Sequence, residues 1–377
     1  MRKLASIQVI KELRPINGAD RIEEAIVLGW HVVVQKGLYK EGDRVVYLET
    51  DSVLPKSLAE KAGFTDSHLK VRRFKGIYSQ GMCLPVSEVV EEILLAPGSK
   101  EHKIALIQDG RYDDVDVTEM LGITKWEPDE RNRRHHGRSN TVQIPKKWYT
   151  RFRIGRWFWK KFIYKPKSIN FPSWIPKTDE TRIQVLSDVL EKHTGVGCEY
   201  TEKVDGSSIT IWYDRKKDKL HVCSRNREIL DKTDYFYTTA MKYLDKIKSL
   251  PDGIVLQGEL LGPNIQQNKY RLEEKCILFY QAWAKNRGEY LNPPTFRTIM
   301  SIAGLKTVPL LGSVRLSNDV DYFVDLSVGT SALNPEVQRE GIVIRPLANI
   351  KVQDRRFVDG RLSLKAINPK FLIKYDL

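Results

Sequence analysis

The sequence predicts an α+β chain, a small N-terminal β-barrel followed by a larger α/β domain. Three observations carry this reading. Residues 1–120 hold short alternating or apolar runs punctuated by glycine, residues 178–377 mix strand and helix patterns, and the stretch between them is basic and broken by proline. A chain of 377 residues exceeds one typical domain. Its 41% apolar content is enough to fill real cores.

The first domain, residues 1–123, has runs at 3–10, 21–28, 30–36, 44–49 and 81–86 that read as strands, with Gly18, Gly29, Gly37, Gly42 and Gly76 between or beside them. Five short strands in so short a span suggest a barrel of the OB-fold kind, although a sandwich gives a similar pattern. Residues 116–121 read as a brief helix.

Residues 124–177 read as a linker with an insertion. Between Arg131 and Lys177 lie 14 Lys and Arg and no Asp or Glu. The chain's net charge is +14, so its remainder is balanced and the basicity is one local feature. Ten aromatics are interleaved, among them Trp148, Trp157, Phe158, Trp159, Phe162 and Tyr164. Cations track phosphates and aromatic faces stack on bases, so the mixture suits nucleic acid. A segment lying on anionic lipid, or a linker whose aromatics pack on the two domains, are the competing readings. Residues 148–163 fit a helix or a hairpin.

In the third region, residues 178–377, a helix is expected over 181–192 with Thr178 or Asp179 as its cap. Strands follow at 199–213 and 219–224, a helix at 235–248, strands at 253–260 and 276–284, a helix at 296–303, and strands at 341–345 and 362–366. The four cysteines stand apart, with no CxxC pair and no zinc-type cluster. Isolated thiols fit a reducing compartment, cytoplasmic or nuclear. The N-terminus lacks a signal-peptide pattern, and no apolar stretch is long enough to span a bilayer, so no integral membrane association is expected. A monomer is the working expectation.

The chemistry concentrates in Glu202-Lys203-Val204-Asp205-Gly206-Ser207-Ser208. Downstream come Ser224-Arg225-Asn226, Gln257-Gly258-Glu259-Leu260, Phe279-Tyr280, Arg339-Glu340-Gly341-Ile342-Val343-Ile344 and Leu364-Lys365, each on or beside an expected strand. Singly, each has an ordinary alternative. Lys203 and Asp205 would serve as a solvated ion pair, Glu259 and Glu340 as strand-end charges, and Phe279 and Val343 as core. Their order and spacing, taken together, resemble the motif ladder of the covalent nucleotidyltransferases, which include RNA ligases, DNA ligases and mRNA capping enzymes.

That chemistry needs a lysine able to attack an α-phosphate. An ordinary lysine is almost wholly protonated at neutral pH, and nearby cations or a metal favour its neutral form. It also needs positive charge around the phosphates and carboxylates to hold a divalent metal. The resemblance implies that Lys203 is the nucleophile. It implies that Asp205, Glu259 and Glu340 position metal-bound waters or contact the ribose, and that Lys365 touches the α-phosphate. Arg225 would grip sugar or phosphate. Phe279 would stack on adenine with Val343 on the other face, Glu202 would lie in the nucleotide site, and Gly206 would allow a sharp turn. Arg182, 21 residues before Lys203, lies in a lead-in similar to that of one RNA ligase group, in which it serves the active site.

Relatives that join DNA or cap mRNA usually carry the OB domain after the last motif, and only 12 residues follow Lys365 here. With the β-rich domain in front, the chain resembles the Naegleria-type RNA ligases. The runs Leu13-Arg14-Pro15-Ile16-Asn17-Gly18-Ala19-Asp20, Gly42-Asp43-Arg44-Val45-Val46-Tyr47-Leu48-Glu49 and Tyr78-Ser79-Gln80-Gly81-Met82 look like that domain. The implied activity is ATP-dependent joining of RNA 3′-OH and 5′-phosphate ends through lysyl–AMP and an adenylated RNA end, supported by Mg²⁺ or Mn²⁺. A DNA ligase, a capping guanylyltransferase and a non-catalytic RNA-binding protein are the alternatives. One departure stands out. Ser363 occupies the place where some ligases carry a second lysine, so that lysine is missing or its role moves to Lys370 or Lys374.

Overall fold

Alternating apolar residues near the N-terminus produce five antiparallel strands in the order Trp30–Gln35, Ile22–Val27, Ala5–Pro15, Arg44–Leu48, Met82–Pro85. In this computed structural model the described residues are 3–64, 66–94, 99–126, 166–357 and 360–376, with Phe152 and Ile154. Apart from Phe152 and Ile154, the expectation for residues 148–163 lies outside them, as does the basic segment up to residue 165.

The long strand Ala5–Pro15 serves two ladders. Ala5–Val9 pairs with Arg44–Leu48 and Ile10–Pro15 with Ile22–Val27, and the register shifts between Ile10 and Glu12. A bulge of this kind bends a strand so that a small sheet can curl toward a barrel. One side of the sheet packs Ile7, Val46, Leu48 and Leu84 beneath the helix Val86–Ile93. The other buries Ile10, Val27, Trp30, Val45 and Tyr47. The five expected strands are all present. The helix expected over 116–121 is not. Asp116 Oδ1 accepts from the Thr118 amide at 3.0 Å, and Gly122 follows at φ +62°, so local side-chain bonding makes turns there instead.

Two larger sheets build residues 168–367. A seven-stranded sheet runs Ser168–Asn170, Arg227–Ile229, Lys219–Ser224, Ser207–Asp214, Ile254–Leu261, Cys276–Ala284, Glu289–Tyr290. Its outer face packs on the helices Tyr235–Met241, Leu244–Lys248 and Pro293–Ile302. A five-stranded sheet runs Thr181–Arg182, Leu364–Ile367, Gly341–Pro346, Gly197–Lys203, Leu310–Arg315. Its outer face buries Cys198, Ile342, Ile344, Leu364 and Ala366 against the helices Ser187–Lys192 and Val320–Ser327.

Three expectations are corrected here. The run 199–213 is two strands, divided at Val204–Gly206. The helix expected from 181 starts at Ser187, because Thr181–Arg182 pair in parallel with Leu364–Lys365 and ladder bonding wins over helical periodicity. The helix over 235–248 breaks at Lys242–Tyr243 into two short ones.

The barrel meets the five-stranded sheet directly. The Gly29 amide donates to Gln184 O at 2.8 Å. A Cβ at Gly29 would lie 3.0 Å from that oxygen, so only glycine allows the approach. His31 Nε2 lies 2.8 Å from Asp321 Oδ1.

Candidate active site

Lys203 closes the strand Gly197–Lys203, in register with Gly341 of the neighbouring strand. Side chains alternate along a strand. Thr201, Lys203, Val343 and Lys365 therefore share the inner face, while Cys198, Ile342 and Ala366 fill the outer core. The inner face of the seven-stranded sheet supplies Glu259, in register with Ser208.

Lys203 Nζ donates to Glu340 Oε1 at 2.6 Å. Burial pushes the lysine pKa down, but Glu340, Glu259 and Asp205 outweigh it and hold the ammonium well above its ordinary value. Carboxylates dominate around the amine, where cations were expected. Burial, opposed by Lys203 and assisted by Glu340 and Asp205, raises the Glu259 carboxyl to about 8. The second Glu340 oxygen, Oε2, is buried and has no hydrogen-bond partner.

Lys365 Nζ donates to Asp179 Oδ1 at 3.1 Å, and Arg225 Nη2 lies 3.7 Å from Asp179 Oδ2. Burial lowers the Lys365 pKa, with Lys203 and Arg182 adding to that effect and Asp179 opposing it. Arg182 is in register with Lys365. Lys203, Lys365, Arg182 and Arg225 thus converge on one cleft, as a site for an anionic nucleotide requires.

Gly206 is needed for space rather than for a turn. A Cβ there would meet Leu260 O at 2.5 Å and Glu259 Cγ at 2.9 Å. The glycine therefore lets the Asp205 segment lie against the strand that carries Glu259. Val343 sits between Thr201 and Lys365 on the inner face.

Two expected nucleotide contacts are not brought to the cleft. Phe279 is fully buried in the helix-covered core, edge-on to Tyr243 with ring centroids 6.3 Å apart. Its neighbour Tyr280 points inward instead, with its hydroxyl 3.1 Å from Thr178 Oγ1 and the Arg345 guanidinium over its ring. A register shift between Gln257 and Gly258 sets which residues of that strand face inward, and no spacing rule in the sequence reveals it. Glu202 turns to the outer side. Its oxygens accept from Ser331 Oγ at 2.5 Å and the Ala332 amide at 2.8 Å, so it tethers a loop.

Sequence reasoning missed Lys269 and Tyr270. Lys269 forms an ion pair with Asp205, and its ammonium lies over the rings of Phe371 and Tyr375. The Asp205 amide donates to the Tyr270 hydroxyl at 2.7 Å. Asn264, Gln266, Gln267, Asn268 and Arg271 all have positive φ in the loop that delivers them. Strain of this kind persists where surroundings over-determine a site, and its one sequence signal is the Asn/Gln-rich run. The absent second lysine also has a physical counterpart. Arg345 Nε donates to Ser363 Oγ at 3.2 Å and Nη2 to Glu180 Oε1 at 2.7 Å, so a guanidinium already crosses the position.

No cluster of three or more His, Cys, Asp or Glu able to hold an ion directly occurs among the described residues. Even so, Asp205, Glu259 and Glu340 converge on Lys203, the Glu259 carboxyl is raised by burial and then by its like-charged neighbours, and one buried oxygen lacks a hydrogen-bond partner. This donor set fits a hard divalent cation held through its water shell.

Residues 198–367 match the family model described as RNA ligase, and residues 4–86 match an OB-fold domain model. No curated protein matches. Among solved structures, the chain is similar to Naegleria gruberi RNA ligase with pyrophosphate, at 28% identity, TM-score 0.74, covering 100% of this chain and 99% of that one. It is similar to a mutant of that ligase with AMP and manganese, at 29% identity, TM-score 0.74 and the same coverage. A further mutant with ATP and manganese gives 29% identity and TM-score 0.74 over 100% of both chains.

Proposed function

We propose that this chain, an ATP-dependent RNA ligase with its OB-fold domain in front of the catalytic domain, joins RNA 3′-OH and 5′-phosphate ends through lysyl–AMP on Lys203. The observation that carries this is the convergence of Lys203, Glu340, Glu259, Lys365 and Arg182 on one cleft. The family match and the ligase neighbours set aside the DNA-joining, capping and non-catalytic readings.

In the first step Lys203 Nζ, having given up its proton, attacks the α-phosphorus of ATP. A P–N bond forms, the Pα–O–Pβ bond breaks and pyrophosphate leaves. Lys365 and Arg182 stand on the neighbouring strands to balance the charge that develops on the phosphate oxygens. In the second step the RNA 5′-phosphate takes AMP from Nζ, which restores the lysine. In the third the RNA 3′-hydroxyl attacks the activated phosphate and AMP leaves. A bound Mg²⁺ or Mn²⁺ supplies Lewis-acid charge at the phosphates, and Asp205, Glu259 and Glu340 are the residues that would hold its waters. Tyr280 and Val343 line the space assigned to adenine, with Arg225 and Asp179 beside it.

As for its setting, no described helix is long and apolar enough to cross a membrane. We place the ligase in a reducing compartment, where its free cysteines Cys83, Cys198, Cys223 and Cys276 stay unpaired, and we expect it to act as a monomer.

The deciding experiment incubates the protein with α-labelled ATP and Mg²⁺ or Mn²⁺ and resolves it on a denaturing gel. A labelled band that pyrophosphate discharges and Lys203→Ala abolishes supports the assignment. A labelled Lys203→Ala protein overturns it. Sealing of a nicked RNA duplex with a 5′-phosphate, but not with a 5′-hydroxyl, tests the end chemistry.

A further inference from the structure

One element of the OB-fold domain lies outside its two apolar cores. Arg72–Phe74 and Ile77–Ser79 form a separate two-stranded hairpin. Arg72, Arg73, Phe74, Lys75 and Gly76 are all exposed, and Phe74 keeps 43% of its surface in solvent. Adjacent residues of a strand point to opposite faces, so exposure of three in a row means that the outgoing strand is covered on neither face. Lys75 at φ +46° and Gly76 at φ +97° make the tight turn.

An isolated two-stranded hairpin is marginal in water, and this one is held at its root. Val71 is buried with Ile367, Phe371 and Leu372, and Tyr78 packs on the same cluster. Ile367 lies two residues beyond Lys365 on one strand, roughly 7 Å along it at the usual rise. The hairpin is therefore anchored to the continuation of a catalytic strand and projects beside the cleft. Between Lys70 and Ser79 there are four cations and no Asp or Glu. Asp376 lies 2.5 Å from Lys70 and 3.3 Å from Arg72. Arg73 lies over the Tyr78 ring, and neither Arg73 nor Lys75 has an acidic partner among the described residues.

We propose that this hairpin is an RNA-contacting arm, with Arg73 and Lys75 on the phosphates and Phe74 against a base or sugar of the strand next to the break. The proposal rests on the RNA-ligase reading and deepens it. An exposed aromatic between two cations that have no acidic partner among the described residues is poor surface for water but suits a polyanion with stackable faces. Its root packs on Ile367, two residues from Lys365 along one strand, which sets the arm beside the cleft.

The test uses the full-length protein and a nicked RNA duplex, with affinity measured across a salt series. The variants are Arg73→Gln with Lys75→Asn, and separately Phe74→Ala. Asn tolerates the left-handed turn and so keeps the hairpin while removing charge. The double variant is expected to lower the slope of log affinity against log salt by about 1.8, the duplex value for two lost phosphate contacts. Phe74→Ala is expected to weaken binding roughly tenfold with the slope unchanged. Both should form lysyl–AMP at the wild-type rate, which also shows that the root and the cleft remain folded. Unchanged affinity and slope, in a wild type that does bind the duplex, would overturn the arm alone and leave the ligase reading standing. Loss of self-adenylation together with RNA binding would overturn it in favour of a purely structural hairpin. A wild type that forms lysyl–AMP but does not bind the duplex would sink the arm together with the RNA end-joining reading.

Discussion

Arg182 Nη2 donates to Asp51 Oδ2 at 2.8 Å, so a carboxylate of the OB-fold domain holds an arginine of the catalytic domain. The Trp30 ring lies 5.4 Å from the same guanidinium. Arg182 is in parallel register with Lys365, so its aim depends on both domains. Positioned charge is worth far more in a site than free charge, and small misplacements cost large factors in rate. Asp51→Asn is therefore expected to slow lysyl–AMP formation roughly tenfold at saturating ATP. Asp51→Glu should recover part of the rate. An Asp51→Asn enzyme as fast as the wild type would mean that Arg182 needs no partner from the barrel.

How far the sequence speaks is clearest from particular residues. Lys203, Glu259, Glu340 and Lys365 were singled out by their resemblance, in order and spacing, to a known motif ladder, and the fold brings the four side chains together. The barrel strands were legible because alternation and glycine turns act locally. Phe279 misled because a one-residue register shift decides whether it or Tyr280 faces inward, and only the neighbouring strand imposes that shift. Residues 181–182 misled because their ladder partner lies at 364–365. Lys269 was invisible for the same reason, since its pairing with Asp205 spans 64 positions and an irregular loop.

The Lys203–Glu340 contact has a chemical readout that needs no catalysis. Glu340 is the leading influence that keeps the amine protonated against the effect of burial. Replacing it with Gln lowers the lysine pKa and raises the neutral fraction at any given pH. In nucleotide-free and metal-free protein, an amine-directed reagent should modify Lys203 faster in Glu340→Gln, with its pH profile displaced to lower pH. Adenylation should nonetheless fall in that variant. A reactivity profile superimposable on wild type would show that the lysine does not sense Glu340.

Glu259 makes a stability prediction whose sign follows from linkage. Burial raises its folded-state pKa to about 8, above its unfolded value. Between those two values the native state binds more protons than the unfolded one, so stability falls as pH rises through that window and levels off above it. Gln cannot ionise and escapes this loss. Glu259→Gln should match the wild-type Tm near the ordinary carboxylate pKa and exceed it by roughly 4 °C above pH ~8 in nucleotide-free protein. A constant difference at all pH values would rule out the buried charge as its source.

His31 bridges the two domains between Glu24 Oε1 and Asp321 Oδ1, each at 2.8 Å. Burial disfavours its charged form, but both carboxylates outweigh that and raise its pKa. Arg14 and Glu12 also act on Asp321 and His31 from the first strand. A group with a raised folded pKa contributes stability that is complete below its unfolded value and lost as pH rises through the folded one. The interdomain contact is therefore firm in mild acid and loosens in base. Asp321→Asn should cost about 1 kcal/mol at pH ~6, where the imidazolium has lost a partner, and progressively less as pH rises through the raised His31 pKa and the imidazole becomes neutral. Denaturant titrations of both proteins across that pH range measure the difference. An equal cost throughout would leave a neutral hydrogen bond as the whole of the interaction. The same protonation change bears on Arg182, because Trp30, the neighbour of His31 in the chain, lies over the guanidinium that Asp51 holds.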